Sequence, residues 1–141
     1  EVIEITDKPF TAILPREEST KYPDAMQFGL AMDRESLDIR IDNRVAKMWE
    51  AGFVDEVDEL INQGILEGKT AQAAIGYAQI IRMKHGSMSQ EEAIEDTARA
   101  TRQYARRQET WFSRDLRITW LSATSNLSER KASLLQAILK S

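Results

Sequence analysis

The residues in this sequence best suited to chemistry with a charged partner are arginines, and they fall in two places. Arg40 and Arg44 lie four apart, a spacing that puts both guanidinium groups on one side of a helix. Two planar cations so placed could clamp a diphosphate. They could equally pair with Asp33, Glu35 or Asp38, and spacing alone favours that ion-paired reading. The second place is residues 99–117, where Arg99, Arg102, Arg106, Arg107, Arg114 and Arg117 stand against Glu109 and Asp115, a net +4. The chain as a whole is −4, so the remainder carries −8. A basic surface on an acidic body suits a polyanionic partner. Lysine is absent between Lys84 and Lys131, and arginine's planar fork matches phosphates and base edges, while glutamine reads bases and aromatic rings stack on them. A solvated helix surface with its arginines paired to nearby acids is the competing reading.

Other chemistries are poorly served. The 141 residues include no cysteine and one histidine, so disulfides and thiolate or multi-histidine metal sites are excluded. His85 stands just before Gly86, where it reads as the last residue of a helix. No Ser/His/Asp or Cys/His set is present, and no carboxylate pair is spaced for acid–base work. We therefore assign no catalytic residue and no metal ligand within the chain. The segment 64–70 (Gly64, Gly68, Lys69, Thr70) imitates a phosphate-binding loop, but its glycines are one residue too close and it follows an acidic helix rather than a strand. It reads as a helix-to-helix turn. No apolar run approaches the roughly 20 residues that span a bilayer.

Helices must position these arginines, and the periodicity predicts them. Residues 1–10 end at Lys8-Pro9-Phe10, where the proline ring disfavours helix at the residue before it. Residues 15–24, with Pro15 and Pro23, read as a linker. Residues 25–32 are largely apolar and of strand length. Asp33 is placed to cap a helix whose apolar face is Leu37, Ile41, Val45 and Met48, ending at Gly52. Phe53, Val54, Val57, Leu60 and Ile61 form a second amphipathic series, stopped by Gly64. Thr70 is expected to cap a third helix carrying Ala73, Ala74, Tyr77, Ile80 and Ile81. Ser89 followed by Glu92 is a capping box opening the longest helix, residues 90–113. Its packing seam is expected to be Ile94, Ala98, Thr101, Ala105, Gln108 and Phe112. Residues 117–121 form a second strand, and Asn126 or Ser128 starts a closing helix with Leu134, Leu135, Ile138 and Leu139. The expected fold is thus mainly α, about five helices with two short strands. Strands so few cannot make a sheet alone, and we expect them to be edge members of a sheet centred outside this sequence.

Read together, several segments resemble the tRNA dimethylallyltransferases, also called tRNA isopentenyltransferases. The resemblance is carried by Gly29-Leu30 with Asp33-Arg34, by Arg40-Ile41-Asp42-Asn43-Arg44-Val45 leading to Met48 and Gly52-Phe53, and by Glu56-Val57. It continues through Ala74-Ile75-Gly76-Tyr77 and residues 101–108 with Thr110-Trp111-Phe112. Glu1-Val2 and Thr6-Asp7-Lys8-Pro9 are similar to the end of that family's helical insertion domain. The resemblance implies a piece of a P-loop α/β enzyme that moves a dimethylallyl group from dimethylallyl diphosphate to N6 of the adenosine 3′ of the anticodon, with Mg²⁺. On that basis residues 1–24 end the insertion domain and linker, and residues 25–141 belong to the catalytic and tRNA-binding domain. Arg44, with Arg40 beside it, would bind the diphosphate. Gly76, Tyr77, Arg102, Gln103, Arg106, Arg107, Gln108 and Trp111 would face the tRNA anticodon stem-loop, and Gly76-Tyr77 with the helix from Thr101 to Trp111 would help build the prenyl-donor tunnel. The family's phosphate loop and general-base aspartate belong to an N-terminal half that these residues lack. The chain alone is therefore expected to be inactive, its Mg²⁺ held mainly elsewhere, and its exposed interface prone to self-association. The parent would be monomeric and cytoplasmic. Where the family usually carries a basic residue after Tyr77 this chain has Ala78, which removes one expected RNA contact. The alternative from another class is a helical RNA- or protein-binding module with the basic helix as its contact surface.

Overall fold

The computed structural model describes residue 22 and residues 24–140; the expectations for residues 1–21 lie outside them. Five α-helices and two parallel strands are found, in the order β1 (Gln27–Ala31), α1 (Arg34–Glu50), α2 (Phe53–Asn62), α3 (Tyr77–Lys84), α4 (Gln90–Phe112), β2 (Ile118–Ser122) and α5 (Leu127–Lys140).

The two strands are direct neighbours, with Gln27 opposite Ile118 and Ala31 opposite Ser122. Gly29 makes this pairing possible. Any Cβ there would lie 2.5 Å from the Trp120 ring, so only glycine lets that ring lie across β1. Two strands alone form a marginal sheet. Leu30 remains 60% exposed, and Trp120, Leu135 and Leu139 are exposed as well.

Local signals set most helix ends. The Asp33 side chain accepts a hydrogen bond from the Ser36 amide at 2.8 Å, opening α1. Ser89 and Glu92 bond each other's backbone amides at 3.2 and 2.7 Å, opening α4. Asn126 does the same with Glu129 for α5. His85 closes α3, its amide reaching the Ile81 carbonyl. In the loop-like segment 64–70, Glu67 and Gly68 donate their amides to Gly64 and Ile65, so those donors are turned inward and do not form a phosphate cradle.

The third helix departs from expectation. Thr70 makes no side-chain cap, and two short 3-10 turns (Ile65–Glu67 and Ala71–Ala73) precede the helix proper. The helix starts after Gly76, whose φ of 94° is left-handed, a conformation that interrupts any helix and favours glycine. The Gln79 side chain then caps the start, accepting from the Gly76 amide at 2.8 Å.

The core forms in two patches. Phe53, Val57, Ile80 and Ile81 join α2 to α3, and Ile41, Val45 and Ala98 join α1 to α4. Ion pairs from Arg34 to Glu109 and from Arg102 to Asp42 show that α1 and α4 run antiparallel. The seam of α4 is shorter than its pattern. Ala98 is buried and Ile94, Thr101 and Ala105 are half-buried, but Gln108 and Phe112 are exposed. The reason is that α1 begins at Arg34, level with Glu109, and nothing among the described residues covers α4 beyond that point.

Candidate functional site

Helix α1 has two contrasting flanks on either side of its buried stripe. On one, Asp42 receives the Arg102 guanidinium. On the other, Arg40 and Arg44 are exposed and, among the described residues, make no ion pair. Asp33, one of their candidate partners, is occupied as a helix cap. The helical repeat on the antiparallel α4 puts Tyr104 and Gln108 on the side of Arg40 and Arg44. The same repeat puts Arg99, Arg102 and Arg106 on the side of Asp42, so the expected site residues divide between two surfaces.

Arg44, Met48 and Ala51 follow at spacings of four and three, which places them on one stripe. That stripe runs into a groove of about 480 Å³ lined by Met48, Ala51, Phe53, Glu56, Ala74, Ile75 and Tyr77. The groove wall is braced by aromatic contacts. Trp49 meets Phe53 edge-on at 5.2 Å, and Phe53 meets Tyr77 at 5.7 Å. Gly76 presses against this cluster, since a Cβ there would lie 2.7 Å from the Phe53 ring. The expected pair Gly76 and Tyr77 therefore forms a wall of the groove. The Tyr77 phenol donates to Glu56 at 2.6 Å. This bond, followed by partial burial and the Glu56 charge, raises the phenol above its ordinary pKa of 10.0.

A polar network ties this turn to α4. Gln79, buried, accepts from the Gly76 amide and donates to Asp96 at 3.0 Å. Asp96 also holds Arg82 and Arg99. Partial burial pushes the Asp96 carboxyl up, but the hydrogen bonds from Arg99, Gln79 and Arg82 outweigh it and leave the group below its ordinary value.

The basic helix is accordingly not uniform. Arg99 and Arg102 are tied to acids, and Arg117 is tied to Asp115, whose carboxyl it holds down at about 2. Any contact of Arg102 with RNA is shared with Asp42. Gln103, Arg106, Arg107 and Gln108 are exposed, and Trp111 is 68% exposed. Arg107 lies over the Tyr104 ring at 5.8 Å, a cation–π arrangement. Gln79 and Asp96 went unmarked in the sequence, and Glu56 entered only as part of the resemblance, without a role. Gln79 stands three residues after Gly76, a cap-type spacing that could have revealed it; nothing local marks the other two.

Among the described residues no three acidic or imidazole side chains are grouped to hold a metal ion. Asp96 is taken up by two guanidinium groups and an amide, so it does not suit Mg²⁺. No described helix is long and apolar enough to cross a membrane.

Residues 1–115 match the family described as IPP transferase. A tRNA dimethylallyltransferase of Thermobifida fusca is 55% identical over 121 residues, covering 86% of this chain and 37% of that protein. One from Streptomyces avermitilis is 50% identical over 130 residues, covering 92% and 41% respectively. Among solved structures, the tRNA delta(2)-isopentenylpyrophosphate transferase of Staphylococcus epidermidis matches with a TM-score of 0.76 at 34% identity, covering 84% of this chain and 39% of that one. The chain spans about two fifths of the length of the curated relatives it matches.

Proposed function

The chain belongs to the IPP transferase family, and from that premise we propose that the protein containing it transfers a dimethylallyl group from dimethylallyl diphosphate to N6 of the adenosine 3′ of a tRNA anticodon. The observation that supports this reading is the placement of exposed Arg40 and Arg44 on α1 beside a largely apolar groove. An allylic diphosphate is amphiphilic in the same sense, with a short branched hydrocarbon at one end and a polyanionic diphosphate at the other.

In the proposed reaction the bond between the allylic carbon and the diphosphate oxygen breaks and a bond from N6 to that carbon forms. The N6 proton passes to a base outside this chain. Arg44, aided by Arg40, stabilises the charge that grows on the departing diphosphate. Met48, Phe53, Ile75 and Tyr77 hold the hydrocarbon and keep water from the allylic centre. When bound, Mg²⁺ supplies further neutralising charge to the diphosphate; its ligands are assigned to the rest of the protein.

On the RNA side, the target base leaves its stack to reach the groove. Gln103, Arg106, Arg107, Gln108 and Trp111 contact the anticodon stem-loop, with Arg102 contributing as far as Asp42 releases it. The reading includes a cytoplasmic, monomeric parent with no membrane partner. The 141-residue chain alone is expected to be inactive and to self-associate through the apolar surface of β1, β2 and α5.

The test is donor kinetics of the full-length protein with an anticodon stem-loop. Arg44→Ala is expected to lower kcat/KM for dimethylallyl diphosphate by roughly a hundredfold, as for loss of one charge-stabilising donor. Normal kinetics would remove Arg44 from this role. Absence of transfer by the unaltered protein across a range of tRNAs would favour the RNA-binding module instead.

A further inference from the structure

Glu56 has no part in the chemistry above, yet among the described residues it is the one charged side chain lining the groove. It stands on the first turn of α2, which faces solvent on that side. Its Oε1 accepts the Tyr77 phenol at 2.6 Å, across 21 residues of sequence. A hydrogen bond to an ionised acceptor is stronger than one between neutral groups.

The Tyr77 ring is held at two points. Its face leans on Phe53 at an interplanar angle of 42°. Its tip is held by Glu56. The backbone beneath it is fixed by Gly76, pressed on the same Phe53 ring, and by the Gln79 cap. Of these restraints only Glu56 acts on the polar end of the ring. Removing it leaves helix α3 and its core contacts intact while freeing the wall of the groove.

We propose that Glu56 is a positioning residue for the prenyl donor: by holding the Tyr77 phenol it fixes the ring as the wall against which the hydrocarbon lies. The inference rests on the donor occupying this groove, as in the function proposed above. Glu56 acts through the Tyr77 phenol rather than on the reacting atoms, so its removal acts on donor affinity rather than on the chemical step.

The experiment is steady-state prenyl transfer by the full-length protein, with dimethylallyl diphosphate varied at saturating stem-loop. Losing a net hydrogen bond of ordinary strength corresponds to about a fivefold change in affinity. Glu56→Ala is therefore expected to raise KM for the donor about fivefold, with kcat and stem-loop affinity essentially unchanged. Tyr77→Phe, which removes the same hydrogen bond, should raise the donor KM by a similar factor. The double variant should be no worse than either single one, because both remove a single interaction. Glu56→Gln, which keeps an acceptor oxygen, should restore most of the donor affinity. A donor KM unmoved by Glu56→Ala would overturn the inference, provided the unaltered protein transfers the prenyl group. So would Glu56→Gln behaving like alanine, or a parallel loss of kcat, stem-loop binding and thermal stability. If the unaltered protein transfers nothing, the proposed function itself fails.

Discussion

The two halves of α4 carry the same residue type to different ends. In the first half Arg99 is tied to Asp96 and Arg102 to Asp42, beside a seam of buried Ala93, Thr97 and Ala98. In the second half Arg106 and Arg107 make no ion pair among the described residues, and Tyr104, Trp111 and Phe112 stand exposed around them. The acid available there, Glu109, is held by Arg34 of α1. Arginine in the first half is therefore taken up by acids of the fold, within α4 at Arg99 and across to α1 at Arg102, whereas arginine in the second remains open to an outside anion. Net charge alone would have treated the whole segment as one surface.

The largest stability effect should come from breaking the first half. Asp96→Ala leaves the buried Gln79 amide and two guanidinium groups without their acceptor, at a cost of about 1–3 kcal/mol. Denaturant unfolding of the full-length protein checks this, and a change below the scatter of surface substitutions would show that the network is only decorative. Arg106→Ala, by contrast, should stay within about 0.5 kcal/mol. Next in size is RNA binding. Arg106→Ala and Arg107→Ala should each reduce the salt dependence of tRNA affinity by about one phosphate contact, while Arg99→Ala should barely alter it. Equal slopes for all three variants would erase the distinction between the halves.

The smallest effect is on pH. The folded state holds the Asp96 carboxyl below its ordinary 3.8, so on acidification the unfolded chain takes up the proton first. The network's contribution is complete above that value and is lost as pH falls through the folded-state pKa. Asp96→Asn should flatten the corresponding part of the stability profile, measured by urea unfolding from pH 5 downwards. An unchanged profile would place the acid sensitivity elsewhere.

What could be read from sequence was whatever short-range chemistry decides. The Asp33 and Ser89–Glu92 caps, and the stops at Gly52 and Gly64, lie within a turn of the ends they define. The start of α3 was missed because Thr70 has the right composition for a cap, whereas Gly76 and Gln79 supply the actual geometry. The pairing of β1 with β2 depends on Trp120 crossing Gly29 from far along the chain. Site residues followed the same rule. That Arg40 and Arg44 share one side of α1 could be read from their spacing, but the Arg102–Asp42 pair spans 60 residues. The Glu56–Tyr77 contact likewise arises only when α2 meets α3.

The most direct test of the account is prenyl transfer to an anticodon stem-loop, comparing the full-length protein with the 141-residue chain under the same Mg²⁺ and donor. Dimethylallyl transfer to N6 is expected from the longer protein and none from the chain alone. Transfer by the chain alone would place the catalytic groups among residues assigned here to binding, and absence of transfer by both would contradict the proposed function.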